Sequence, residues 1–261
     1  MFCPQPASPP SPAVGLVLSS GAALGAAHAG VLRAVEEAGI EVTVVAGASA
    51  GALIGGAWAA GVSSERITKR LLRAQWADFG TAAISPRLGL LDTSPLARNI
   101  EEMVGDLLIE DLPIRFGAVV TELGSATPRL VASGSLSAAV RASSAVPGLF
   151  PPVRLEDGGA LCVDGAVVSP TPVWAAHRLG AARVIAVGFG RGATRWRRWF
   201  ESRPDHPARG HLPDLSITID PTGHSSWSPT GVPSLIERGY ETTRAALEGW
   251  TDEPLTTATE A

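Results

Sequence analysis

Short unbroken apolar runs alternate with segments of helical period along most of this chain. Val14–Leu18 is the first run, and its lack of any polar alternation predicts a strand buried on both faces. Leu24, Val31 and Val35, with Leu32 beside them, then recur at helical spacing, while Arg33, Glu36 and Glu37 fall on the other side. This predicts a helix over Leu24–Ala38, closed by Gly39. Val42–Ala46 reads as a second buried strand and Ala50–Ala60 as a second helix ending at Gly61. Later strands are expected at Phe116–Thr121, Leu130–Ala132, Leu161–Asp164, Val184–Gly188 and Leu215–Ile219. Helices are expected at Leu136–Ser143 and near Pro172–Leu179, and a C-terminal helix carries Ile236, Tyr240, Leu247 and Trp250 on one face. Strand and helix in alternation imply an α/β fold, a three-layer α/β/α sandwich with a largely parallel central sheet.

The chain has 261 residues, 45% of them hydrophobic, enough for one large domain. Five prolines make residues 1–12 a disordered leader, and residues 251–261 read as a disordered tail, leaving a single domain over 13–250. Ala13 to Leu32 carries no formal charge and has the length of a membrane span. Its small residues and the central Ser19-Ser20-Gly21 instead divide it into a strand half and a helix half. No basic residue precedes the apolar stretch, so no signal peptide is expected, and a cytoplasmic location follows. Net charge is −4, with no basic stripe of the kind nucleic acid requires. The two cysteines, Cys3 in the leader and Cys162 in an apolar run, do not suggest a disulfide.

The strongest local signal is Gly47-Ala48-Ser49-Ala50-Gly51, the G-x-S-x-G pattern of a nucleophile elbow. A serine at a sharp strand-to-helix turn has its hydroxyl pushed clear of the sheet. Glycines flank it because larger neighbours would collide in so tight a turn. The helix that follows aims its positive end at the site, where negative charge develops in acyl transfer. Val42–Ala46 and Ala50–Ala60 supply the strand and helix that the pattern needs. The same five residues also suit a small-residue turn that merely packs helix on sheet.

Val14 to Gly61, with Gly25-Ala-Ala-His28-Ala-Gly30-Val31-Leu32 ahead of the elbow, resembles the opening of the patatin-like phospholipase family. Arg141 to Pro152 (RASSAVPGLFPP) is similar to a second block of that family, and Val163-Asp164-Gly165-Ala166 to its aspartate block. Ile219-Asp220-Pro221 and the helix around Gly239-Tyr240 are similar to its closing elements, so the resemblance covers about 14–250. It implies a serine lipid acyl hydrolase working through a Ser-Asp dyad, with Ser49 as nucleophile and Asp164 as its base. The cycle would be attack on an ester carbonyl, an acyl-Ser49 intermediate, and hydrolysis by water. Asp157-Gly158-Gly159 matches the same short D-G-[GA] pattern, but it lies between Val153–Leu155 and Ala160–Cys162 as a hairpin turn would.

The chain departs from the family at the oxyanion loop, which reads Ser19-Ser20-Gly21-Ala22-Ala23-Leu24-Gly25. Only Gly21 and Gly25 remain of the glycine run, and Leu24 stands in place of a basic residue. The N–H groups of Gly21 and Ala22 can still form the hole, with strain at Ala22 if its φ must be positive. A fold that binds lipid or acts as a scaffold without turnover is therefore the alternative. A second alternative is a Ser-His-Asp hydrolase using His224, on a loop after a late strand. His28 is expected in the core, His177 in a structural helix, and His206 and His211 in a solvated loop. Trp196, Trp199 and Phe200 with their arginines suit either peripheral contact with anionic lipid or a helix capping the core. The long stretch Gln75–Ser94 is a candidate lid. No residue spacing asks for a metal or a cofactor.

Overall fold

The computed structural model describes residues 13–75, 78, 81–82, 91–92, 94–155, 159–190, 206–228 and 231–250. The leader, the tail, the Asp157-Gly158 turn, the Trp196–Phe200 run and most of the candidate lid lie outside the described residues.

The expected alternation is present. Strand β1 (Val14–Leu18) leads through a 3-10 helix at Ala22–Ala26 into α1 (Ala27–Glu37). Strand β2 (Val42–Ala48) then meets α2 (Ala50–Ala59) with only Ser49 between them. Helix α3 (Ser64–Leu72), strands β3 (Thr81–Ala82) and β4 (Leu91–Asp92), and α4 (Ser94–Val104) follow. The next elements are β5 (Arg115–Glu122), β6 (Thr127–Val131), α5 (Leu136–Ser143), β7 (Val153–Arg154) and β8 (Leu161–Asp164). The order closes with α6 (Val173–Arg178), β9 (Arg183–Phe189), β10 (Leu215–Ile219) and α7 (Val232–Leu247).

The first helix begins later than its apolar period suggests. Residues 22–26 take the tighter 3-10 form, with Ala22 at φ 49°. The end is as expected, with Gly39 at φ 67° in the left-handed region. Val153 pairs with Cys162 and Arg154 with Leu161, so the two arms of the expected hairpin are in place.

Strands β10, β9, β1, β2 and β5 run parallel in that order. Side chains alternate across them. Leu16 and Leu18 enter a core shared with α1, α2, α5 and α7, while Val17 faces Trp174, Ala175 and Ala176 of α6. These are the expected three layers, with α6 the helix of the second face among the described residues. Trp174 is 1% exposed, and its indole N–H donates to Ser169 Oγ at 3.0 Å, so the apolar face gains a large side chain without an unpaired donor. No helix among the described residues is long and apolar enough to cross a membrane.

The edge of β5 is shared in a way that positions the site. Strand β6 pairs antiparallel with Ala118–Glu122 along one edge. The other edge carries β2 parallel over Arg115–Val119 and β8 antiparallel over Val120–Glu122. The two strands therefore meet end to end, with Ala48 opposite Val119 and Asp164 opposite Val120. The residues just beyond both C-terminal ends are thrown together at one point above the sheet.

Candidate active site

Ser49 occupies the single step between β2 and α2, at φ 54° and ψ −122°. A serine in this region is strained, and such strain survives only where its surroundings hold it. Part of the hold is steric. A Cβ on Gly47 would lie 2.5 Å from the Gly51 carbonyl, and one on Gly51 would lie 2.0 Å from the Leu18 carbonyl oxygen of β1. The flanking glycines thus let the turn close on itself and press against the neighbouring strand. The rest of the hold is a hydrogen bond, from the Ser49 N–H to Ser143 Oγ at 2.9 Å. Ser143 in turn donates to the Val119 carbonyl of β5 at 2.7 Å and is fully buried. In the sequence Ser143 lies at the end of an expected helix, with nothing local to mark it as functional. Its only signal was its position in the 141–152 block.

Ser49 Oγ donates to Asp164 Oδ2 at 2.7 Å. Asp164 is 2% exposed, and its other oxygen accepts the Ala166 N–H at 2.7 Å. Its backbone is tied by Thr121 Oγ1 donating to the Asp164 carbonyl at 2.9 Å. Gly165 is a requirement of this packing, because a Cβ there would lie 2.1 Å from the Val119 carbonyl oxygen. Burial pushes the Asp164 carboxyl from 3.8 up to about 6, with the bonds from Ser49 and Ala166 pulling it the other way. A carboxylate made more basic by desolvation, and bonded to a serine hydroxyl, is chemically suited to take that proton.

Gly21 and Ala22 line the same cleft as Ser49, Asp164 and Ala166. Among the described residues, no hydrogen bond engages the N–H of Gly21 or Ala22. The loop around them is pinned elsewhere. Ser20 N–H donates to Pro170, Ala23 N–H donates to Ser226, and the buried His28 places Nε2 at 2.8 Å from the Ser19 carbonyl. Gly25 brings the loop against α2, since a Cβ there would lie 2.3 Å from that of Ala50. The α2 N-terminus adds its own free donors, because Leu53 N–H to Ser49 carbonyl is the first helical bond. Leu24, where the family carries a basic residue, is 2% exposed and packs in the core.

Ala22 has φ 49°, the positive value that costs an alanine about 1 kcal/mol or more. Ala22→Gly should therefore raise the melting temperature by roughly 1–3 °C, even after the extra freedom of glycine in the unfolded chain. Thermal unfolding of the two proteins checks this; a lower melting temperature would show that the alanine is unstrained.

The histidines divide differently from expectation. His28 is in the core, as its stripe position suggests, and burial holds its imidazole down at about 4. His206 corrects the expectation of a solvated loop. It is 6% exposed, its Nε2 lies 3.1 Å from the Val168 carbonyl, and its Nδ1 accepts the Ala208 N–H. A polar, proline-rich sequence carries no sign of this because both ring nitrogens are satisfied by distant or local backbone. His177 is half-buried and stacks on His211 with ring centroids 5.1 Å apart. His224 stands 3.4 Å from Ser234 Oγ, while the Ser49 hydroxyl is taken by Asp164.

Two spaces meet at Ser49. One is a cleft of about 870 Å³ with Ser20, Thr171, Ser216 and Thr218 among its polar walls. The other is an apolar pocket of about 130 Å³ walled by Leu53, Leu96, Leu149 and Phe150. Ala22, Val146 and Trp227 border both. Among the described residues, no group of His, Cys, Asp and Glu gathers as a metal site requires.

This is an α/β protein with an elbow serine hydrogen-bonded to a buried carboxylate at the C-terminal ends of its strands. The patatin-like phospholipase family model matches residues 16–177, and the chain belongs to that family. It is 36% identical over 187 residues to neuropathy target esterase sws of Drosophila melanogaster, covering 68% of this chain and 13% of that protein. It is also 36% identical over 187 residues to an NTE family protein of Mycobacterium tuberculosis, covering 69% of this chain and 49% of the relative. The chain thus spans half or less of the length of these relatives. Among solved structures, it is similar in fold to VipD from Legionella pneumophila, with TM-score 0.58 and 17% identity over 92% of this chain and 67% of that one. Similarity to the type III effector ExoU has TM-score 0.52 and 19% identity over 92% of this chain and 54% of that one.

Proposed function

We propose that residues 13–250 form a serine hydrolase unit that cleaves fatty-acyl esters of lipids through an acyl-Ser49 intermediate. The observation that carries this reading is the 2.7 Å bond between Ser49 Oγ and the buried, basic Asp164, placed where an apolar pocket meets a polar cleft. Asp164 takes the hydroxyl proton as Ser49 attacks the ester carbonyl. The N–H groups of Gly21 and Ala22, with the α2 N-terminus, receive the negative oxygen. The alcohol portion leaves protonated by Asp164, and water activated by the same carboxylate releases the acid. The acyl chain lies in the pocket of Leu53, Leu96, Leu149 and Phe150, and the head group lies in the polar cleft. The esterase and phospholipase names of its relatives agree with this reaction class. No cofactor enters the cycle. A substrate dispersed in bilayers brings the enzyme to a membrane surface.

Labelling by a fluorophosphonate probe tests the reading. Wild type is expected to label, Ser49→Ala to be silent, and His224→Ala to label like wild type. The labelling rate should climb with pH around a midpoint of about 6 and level off above it, because Asp164 must shed its proton before it can accept another. A folded wild type that never labels would favour the lipid-binding alternative, for which the strained Ala22 in the oxyanion loop is the specific observation. Loss of labelling in a folded His224→Ala protein would instead restore the triad.

A further inference from the structure

We propose that the exposed cationic face of α3 docks on an anionic lipid bilayer, beside an apolar gap that Leu53 and Leu96 separate from the pocket at Ser49. Arg66, Lys69, Arg70 and Arg73 stand at positions i, i+3, i+4 and i+7, which places them along one side of the helix and its C-cap. With Asn99 and Glu102 of α4, these cations border a hollow of about 340 Å³. The chain as a whole carries a net charge of −4, so this concentration of positive charge runs against its composition.

The local charges are not all taken. Lys69 is paired with Glu65 at 2.6 Å and Arg70 with Asp78 at 3.0 Å. Arg66 and Arg73 are exposed and have no carboxylate partner among the described residues. Leu72, 52% exposed, stands one helical step from Lys69. An exposed leucine at the flank of a cationic face costs stability in water and gains it at a lipid interface, where the leucine enters the acyl boundary and the arginines meet phosphates.

The position of this face gives it a use. Arg70, Asn99 and Met103 border both the cationic hollow and an apolar gap between α2, α3 and α4. Leu53 and Leu96 border that gap and also the apolar pocket at Ser49. A bilayer held against α3 therefore lies next to the wall of the pocket assigned to the acyl chain. This use in delivery rests on the hydrolase reading, whereas the docking itself does not.

The test uses the full chain with Ser49→Ala, so that lipid is not consumed, and vesicles of phosphatidylcholine with and without phosphatidylglycerol. Sedimentation should show binding to the phosphatidylglycerol vesicles, weakening with salt, and little to phosphatidylcholine alone. Arg66→Glu with Arg73→Glu should weaken that binding about tenfold or more, and Arg66→Lys with Arg73→Lys should keep it. With Ser49 restored, the charge-reversed protein should hydrolyse a short soluble ester at the wild-type rate. Equal binding by the charge-reversed protein, no preference for the anionic vesicles, or loss of soluble-ester hydrolysis with loss of binding would each overturn the docking face. Charge-dependent vesicle binding by a chain that hydrolyses no ester would support the face and defeat the hydrolase reading. Hydrolysis without vesicle binding would do the opposite.

Discussion

Asp164→Asn is expected to lower turnover on the order of 10⁴-fold while raising the stability of the folded protein above pH 6. The two effects have one cause. Burial lifts the Asp164 carboxyl from 3.8 to about 6, so at neutral pH the fold carries an ionised group that its surroundings disfavour. Such a shift corresponds to about 3 kcal/mol, an upper bound on what the amide can recover. The sign follows from proton binding. Between 3.8 and about 6 the folded state holds the proton that the unfolded state has lost, so wild-type stability falls as pH rises through that window. An amide does not titrate, and its oxygen can accept the Ala166 N–H while its nitrogen donates to Ser49 Oγ. The gain over wild type should therefore be greatest above pH 6 and shrink towards zero near pH 4. Denaturant unfolding at pH 5 and pH 8, with ester hydrolysis of the same preparations, measures both. Unchanged stability at pH 8 would mean that water reaches the carboxylate freely.

His28 contributes with the opposite sign. Its imidazole is held at about 4 against a usual 6.5, so its contribution is present above 6.5 and is lost as pH falls to about 4. The two groups offset each other in wild type between roughly pH 4 and 6. Without the Asp164 titration, the acid loss from His28 stands alone, which makes the pH slope of Asp164→Asn steeper than that of wild type.

Ser143→Ala should destabilise the protein strongly although it leaves Ser49 and Asp164 in place. The hydroxyl joins two buried backbone groups, accepting from Ser49 N–H and donating to the Val119 carbonyl. Its removal leaves both unpaired in a fully buried position, at about 1–3 kcal/mol each, or roughly 2–6 kcal/mol together. The same bond holds Ser49 at its strained φ of 54°. A relaxed elbow would displace the nucleophile, and a shift of about 1 Å costs about 10²-fold in rate. The rate should fall in kcat more than in KM, because the pocket walls are untouched. A protein destabilised to this extent but with wild-type kcat would show that the glycine contacts alone hold the elbow.

Much of the fold is legible in the chain because central strands such as β1 and β2 are apolar runs buried on both faces, while helices such as α1 and α3 carry a polar side. Val14–Leu18, Leu136–Ser143, Leu161–Asp164 and Leu215–Ile219 coincide with the elements expected from apolar runs and helical period. The later start of α1 was not legible, since the 3-10 turn answers to the packing of the loop against Ala50 and Ser226, contacts remote in sequence. His206 shows the same limit, as its buried state depends on a carbonyl at Val168.

The sequence by itself determined that a serine sits between a buried strand and a helix, flanked by residues small enough for a sharp turn. It also set Asp164 apart from Asp157, because the former follows an apolar strand and leads into Val167–Val173 in the manner of the family's aspartate block, whereas the latter lies where a hairpin turn would. Those are local properties, and period and residue size report them. Only the tertiary structure decided that β2 and β8 meet end to end on one edge of β5, which is what brings Ser49 within 2.7 Å of Asp164. It alone decided the strut at Ser143, the positive φ of Ala22 and the raised pKa of Asp164. Each of these depends on strand register and on exclusion of water by segments far apart in the chain, and neither quantity has a local signature.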